Sequence, residues 1–292
     1  MEKMTHDNKK LLKMVFRLDN DFDKTKTESL FKLLEDKYKN IGTLSVICYA
    51  LKKFFDFVVP DKVKSDFWSE KGAELTSILK QQEMNGELTG ESEKKNWKTQ
   101  KEILNIIKEL SNNLKTITNK NRYLLLNMCV FQPPLRRGVY STLRFITDEK
   151  KNNKKDNYLM LKPNPQKSYF IINKDKVSKY EKFNDPNNKK IEIISNELNE
   201  LLNNSYNENK RDYVFESSDG GPYEASNMTK ILLAPLGLNF NILRSSYISN
   251  YYVKNPYPKE REELAKAMRH STNIAVNYVK RIKKNEDDAI DL

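Results

Sequence analysis

The sequence predicts a mainly α-helical fold with a small antiparallel sheet, an α+β arrangement in two domains. Three observations carry this. In the first third, apolar residues recur at helical spacing; three short strand-like runs fall between residues 158 and 194; helical spacing then returns and continues nearly to the end.

Thr27–Lys37, Thr43–Phe57 and Lys71–Gln82 are expected helices. Leu30, Leu33 and Leu34 set the face of the first, and Leu44, Ile47, Leu51, Phe54 and Phe55 that of the second. Pro60 and Asp61 mark a break. The stretch before them, MEKMTHDNKKLLK, is charged throughout and lacks an apolar signal core, so His6 is expected at a frayed N-terminus. Residues 85–95 (NGELTGESEKK) are polar, carry two glycines and show no apolar period. They place a domain boundary between 1–94 and 95–292. Thr99–Ser111 and Asn119–Val130 are the next expected helices, the second stopped by Gln132-Pro133-Pro134. Tyr158–Leu161, Ser168–Ile172 and Lys190–Ile194 have strand character. Helices are expected again over Ser195–Leu202, Ala225–Leu233, Leu243–Val253, Lys259–Met268 and Thr272–Lys283. Asp219-Gly220-Gly221-Pro222 is a turn before the second of these.

The chain has 292 residues, 38% of them hydrophobic, enough for two cores. No run of about 18 apolar residues exists that could span a membrane. Cys48 and Cys129 lie in apolar surroundings and read as reduced, buried side chains of an intracellular protein. With only two cysteines and two histidines, a structural zinc site of the usual kind is excluded. The net charge is +12 and its distribution is uneven. Residues 1–94 hold 17 basic and 17 acidic side chains, whereas 95–292 hold 35 and 23. A polyanion is the expected partner of the second part, although a lysine- and asparagine-rich composition alone also produces such an excess.

The basic part contains residues suited to phosphodiester chemistry. Arg136 lies in Pro133-Pro134-Leu135-Arg136-Arg137-Gly138, Arg244 in Asn241-Ile242-Leu243-Arg244, His270 in Met268-Arg269-His270-Ser271, and Tyr278 eight residues further on. Two guanidiniums can hold the non-bridging oxygens as the phosphorus becomes five-coordinate, and they stay charged at any relevant pH. A tyrosine can attack and leave again, and a lysine or histidine can protonate the departing oxygen. Protein cations supply the positive charge, so neither metal nor cofactor is expected. No carboxylate cluster suggests a two-metal nuclease.

The segment PPLRRGVYSTLRF (133–145) resembles the first arginine box of the tyrosine recombinases, the phage-integrase-like family, and Leu243–Tyr247 resembles the second. His270-Ser271 is similar to the family's His/Trp position. Tyr278 is similar to its nucleophile, and YFIINKDK (169–176) to the hairpin that delivers a lysine, with Lys176 favoured over Lys174 and Lys167. The local wording is closest to recombinases of large DNA viruses and mobile elements. The resemblance covers 95–292 and implies that Arg136, Lys176, Asn241, Arg244, His270 and Tyr278 form the catalytic set. It implies a 3′-phosphotyrosyl intermediate, double-stranded DNA as partner, a homo-tetramer on two DNA sites, and a DNA-containing intracellular compartment. Residues 1–94 then correspond to the family's DNA-clamping module. Two positions depart from the pattern. Asn241 replaces the second-box histidine and cannot shuttle a proton at neutral pH. The His–Tyr step is eight residues, where about nine is common. A type IB topoisomerase and a non-catalytic DNA-binding descendant of a recombinase are the alternatives.

Overall fold

A computed structural model describes residues 4–88, 91–175, 177–178, 189–255, 257–269, 275 and 278–279, with 91–93 as backbone. The described residues are mainly helical and hold one four-stranded sheet. The chain divides into two compact units, Met1–Glu91 and Ser92–Leu292.

The first unit contains helices α1 (His6–Phe16), α2 (Thr27–Lys37), α3 (Ile41–Phe57) and α4 (Lys62–Met84). The expected frayed N-terminus is instead a helix. The Thr5 hydroxyl caps its first turn by accepting from the Asn8 amide at 3.3 Å, and Leu12 and Val15 bury its apolar side. His6 is the exposed first residue of that helix. Helix α4 starts at Lys62, nine residues before its expected start. The Asp61 side chain caps it at the Lys64 amide, and Trp68 brings the charged first turns into the core. Leu30, Leu34, Ile47, Leu51, Phe55 and Trp68 pack that core. Helices α3 and α4 meet closely at Gly72, where a Cβ would come within 3.1 Å of the Tyr49 ring.

The second unit begins with α5 (Glu91–Asn96), α6 (Gln100–Ser111), α7 (Ile117–Val130) and the short α8 (Arg137–Ser141). Thr99 and Glu102 form a reciprocal capping box at the start of α6. Strands β1 (Arg144–Ile146), β2 (Tyr158–Met160), β3 (Tyr169–Ile171) and β4 (Lys190–Glu192) follow, in that spatial order. The sheet is mixed, which corrects the antiparallel expectation. Strand β1 runs parallel to β2, with Arg144 opposite Tyr158, and the other two pairings are antiparallel. Residues 147–157 form a crossover rather than a hairpin, so the chain returns in the same direction. Three residues are too few for β1 to show a period of two in the sequence.

Helices α9 (Asn196–Glu208), α10 (Ala225–Met228), α11 (Phe240–Lys254) and α12 (Pro258–Ala267) complete the unit. The helix expected over Ala225–Leu233 is broken up. After α10 the chain widens at Thr229–Leu233, tightens at Ala234–Leu236, and ends at Gly237 with a left-handed φ of 68°. The Asn239 side chain then caps α11 at the Ile242 amide, 2.9 Å away. The core joins Leu125, Cys129, Tyr140, Phe170, Phe215 and Leu243. A smaller cluster of Ile248, Tyr252, Leu264, Met268 and Ala275 packs α11 against α12, with Tyr278 at its edge. Cys48 and Cys129 are both free and buried. No helix among the described residues is long and apolar enough to cross a membrane. The expected helix at Thr272–Lys283 lies almost wholly outside the described residues.

Candidate functional site

Arg136 is set by the turn that ends α7. After Pro133 and Pro134, the buried Tyr140 hydroxyl accepts from the Leu135 amide at 3.0 Å and fixes the segment leading into Arg136. Tyr140 is held in turn by stacking on Phe240, the first residue of α11, with ring centroids 5.6 Å apart. One core tyrosine therefore ties the two arginine-bearing segments together. Arg136 is half-buried and donates from Nη1 to the Arg269 carbonyl at 2.9 Å. Arg137, its neighbour, is exposed.

Arg244 lies in the second turn of α11 and is 2% exposed. Its Nη1 donates to the Pro134 carbonyl, two residues before Arg136. Its Nε and Nη2 are buried without a hydrogen-bond acceptor among the described residues. Tyr278 covers the guanidinium, with its ring centroid 5.1 Å from Cζ. Burial pulls Arg244 below the ordinary guanidinium value; Tyr278 pulls it back up, and the nearby Arg136 charge lowers it again. The structure thus brings Arg136, Arg244 and Tyr278 together. No carboxylate among the described residues forms an ion pair with either arginine. Two guanidiniums that repel each other, one of them buried, form an arrangement that could hold an anion, a candidate anion site.

Asn241 is exposed one turn before Arg244 on α11, a spacing that places both on one side of the helix. Lys176 and His270 lie outside the described residues. Of the rival lysines, Lys174 is exposed, and Lys167 donates to the Ile194 carbonyl at 2.6 Å.

Arg144, the last arginine of the first box, stands apart from this anion site. It donates to the Tyr213 hydroxyl at 2.6 Å, lies over that ring, and approaches Asp156 and Asp212 at 3.6 and 3.8 Å. Protein groups neutralise it.

Sequence reasoning passed over Arg269 and Asp175. Arg269 is 1% exposed, adopts a left-handed φ of 54°, and grips Asp175 through Nε at 2.7 Å and Nη2 at 3.3 Å. Burial raises the Asp175 carboxyl, but hydrogen bonds from Arg269 and Ser178 and the Arg269 charge outweigh it and hold Asp175 below the usual carboxylate range. The only sequence signal was their position, immediately before His270 and Lys176. Compared with family models, curated proteins and solved structures, the chain matches none of them.

Proposed function

We propose that this protein is a site-specific tyrosine recombinase that breaks and rejoins DNA strands. The observation that carries this reading is the buried Arg244 guanidinium, which has no carboxylate partner among the described residues, together with Arg136 and Tyr278. A scissile phosphate supplies the charge that this pair of arginines needs, and it places phosphorus beside a phenol.

In the forward step the Tyr278 oxygen attacks phosphorus and its proton passes to water. A P–O bond forms, the bond to the 5′ oxygen breaks, and that oxygen takes a proton from Lys176 or His270. The 5′ hydroxyl of another strand reverses the step, so the phosphodiester energy is kept and neither ATP nor a metal takes part. Asn241 adds a hydrogen bond to the phosphate. In this reading the protein acts as a homo-tetramer on two DNA sites, in a compartment that contains DNA, and residues 1–91 form the second DNA-holding unit.

A nicked suicide duplex tests this. Wild-type protein is expected to give a covalent protein–DNA adduct that survives denaturation, and Tyr278→Phe is expected to give none. An undiminished adduct in Tyr278→Phe moves the nucleophile elsewhere. Tight DNA binding with no adduct from wild type leaves a DNA-binding protein, and relaxation of supercoiled DNA by a monomer leaves a topoisomerase.

A further inference from the structure

The crossover between the parallel strands β1 and β2, residues 147–157, carries four exposed lysines, Lys150, Lys151, Lys154 and Lys155. None of them forms an ion pair among the described residues. The acids of the same loop are already engaged. Asp148 accepts from the Lys150 amide at 3.0 Å. Glu149 holds Lys190 at 2.6 Å and accepts from the Tyr169 hydroxyl at 3.0 Å. Asp156 accepts from the Asn153 side chain at 2.9 Å and faces Arg144 at 3.6 Å. The loop therefore presents its positive charge to solvent and keeps its negative charge on internal partners.

A lysine-rich loop is ordinarily a solvated run, but asparagine side chains hold this one in a fixed form. Asn152 Oδ1 accepts from the Lys154 amide and from the Asn173 side chain, both at 2.9 Å. Asn153 Oδ1 accepts from the amides of Lys155 and Asp156 at 2.7 and 3.0 Å. Asn157, 2% exposed, accepts from the amides of Asn173 and Lys174 at 3.0 and 2.9 Å and donates to the Lys174 carbonyl at 2.9 Å. These bonds fasten the crossover to the segment just after β3. Lys154 has a left-handed φ of 59°, where glycine or asparagine is favoured and a lysine costs backbone energy. A lysine held at such a position points to a use for its charge. The next residue of the fastened segment, Asp175, grips Arg269, whose carbonyl receives Arg136. The crossover is thus tied to the candidate anion site through Asp175 and Arg269.

We infer that the lysine crossover is a further phosphate-contacting surface, which holds the backbone of duplex DNA beside the phosphate gripped at Arg136 and Arg244. It rests on the DNA partner of the reading above and adds where the duplex runs. Lysine ammonium groups meet phosphate oxygens as point charges and position a duplex without reading its sequence. A loop already fixed by its own hydrogen bonds loses little freedom when it binds.

The salt dependence of binding tests this. Each lysine that neutralises a phosphate releases counter-ions, and its loss lowers the slope of log K against log salt by about 1. Binding of the full chain to a duplex is measured by filter binding between about 50 and 200 mM salt. Lys150→Gln, Lys151→Gln, Lys154→Gln and Lys155→Gln, made together, are expected to lower the slope by about 2–4 and to weaken binding about 10-fold or more. A control removes the same charge elsewhere in the unit, at the exposed Lys101, Lys108, Lys115 and Lys210, each also changed to Gln. It is expected to change the slope by less than about 1. A wild-type slope in the crossover variant, or an equal drop in both variants, overturns the inference. If the fourfold variant does not fold, the pairs at 150 and 151 and at 154 and 155 are changed separately. Each pair should lower the slope by about 1–2, and a wild-type slope in both overturns the inference. Wild-type protein that binds no duplex sinks the DNA reading and the crossover with it. Wild-type adduct on the suicide duplex, with a wild-type slope in the crossover variant, sinks the crossover alone.

Discussion

Arg144 and Arg244 differ in who neutralises them. Arg144 has two carboxylates and a tyrosine hydroxyl, whereas Arg244 has one backbone carbonyl, a tyrosine face and a second arginine nearby. Removing a buried charge that has no counter-ion among the described residues relieves its desolvation cost. Arg244→Met is therefore expected to unfold in urea no earlier than wild type, and to be up to about 1 kcal/mol more stable. Its adduct formation should fall by about 10²–10³. A large loss of stability would show that the bond to the Pro134 carbonyl, rather than a bound phosphate, is what the guanidinium serves. At Asp175 the sign follows from a carboxyl held below its unfolded value of about 3.9. The contribution of that carboxylate is present above about pH 4 and is lost as pH falls through the lower folded value. Urea midpoints of wild type and Asp175→Asn should therefore converge on acidification below about pH 4. A constant gap down to pH 2 would mean that the charge of Asp175 contributes nothing.

At the scale of elements, α11 aims Arg244, and the turn before it sets where that helix starts. Gly237 carries a φ of 68°, and the space around it would accept a Cβ at ordinary contact distance, 3.7 Å from Asn96 Oδ1. The cost of Gly237→Ala is thus backbone strain alone, about 1–2 kcal/mol, read as a lower midpoint in urea. Adduct formation by the folded fraction should be unchanged, since Asn239 still caps the helix. The helix bounds that could be read from the sequence are those with a clear apolar stripe, such as Thr27–Lys37, which is found at its expected limits. Helix α1 escaped because its first half, His6–Lys10, is wholly polar, and its buried residues, Leu12 and Val15, form only a one-turn stripe near its end. The early turns of α4 escaped because their apolar anchors, Phe67 and Trp68, are adjacent rather than periodic and follow lysines, aspartates and an exposed Val63.

For the molecule as a whole, the excess charge sits in residues 95–292 while 1–94 are balanced. If the proposed partner is DNA, its release of counter-ions dominates the affinity. Binding should weaken by about 10³-fold or more between 50 and 200 mM salt, as for some 6–10 phosphate contacts. Filter binding across that range checks this, and a flat response would argue against a phosphate-tracking surface. The two cores are separate, one built around Trp68 and the other around Tyr140 and Phe170.

The sequence by itself determined most of the helical periods, the place of three of the four strands, the charge asymmetry and the arginine and tyrosine types of the candidate set, because each is a local property of pattern or composition. Tertiary structure alone decided that Arg136, Arg244 and Tyr278 share one place, that β1 is parallel to β2, and that Arg144 is spent on Asp156, Asp212 and Tyr213. It alone found Asp175 for Arg269. Side chains 94 residues apart leave no periodic trace in a sequence, and whether a charge is neutralised depends on what the folded chain packs around it.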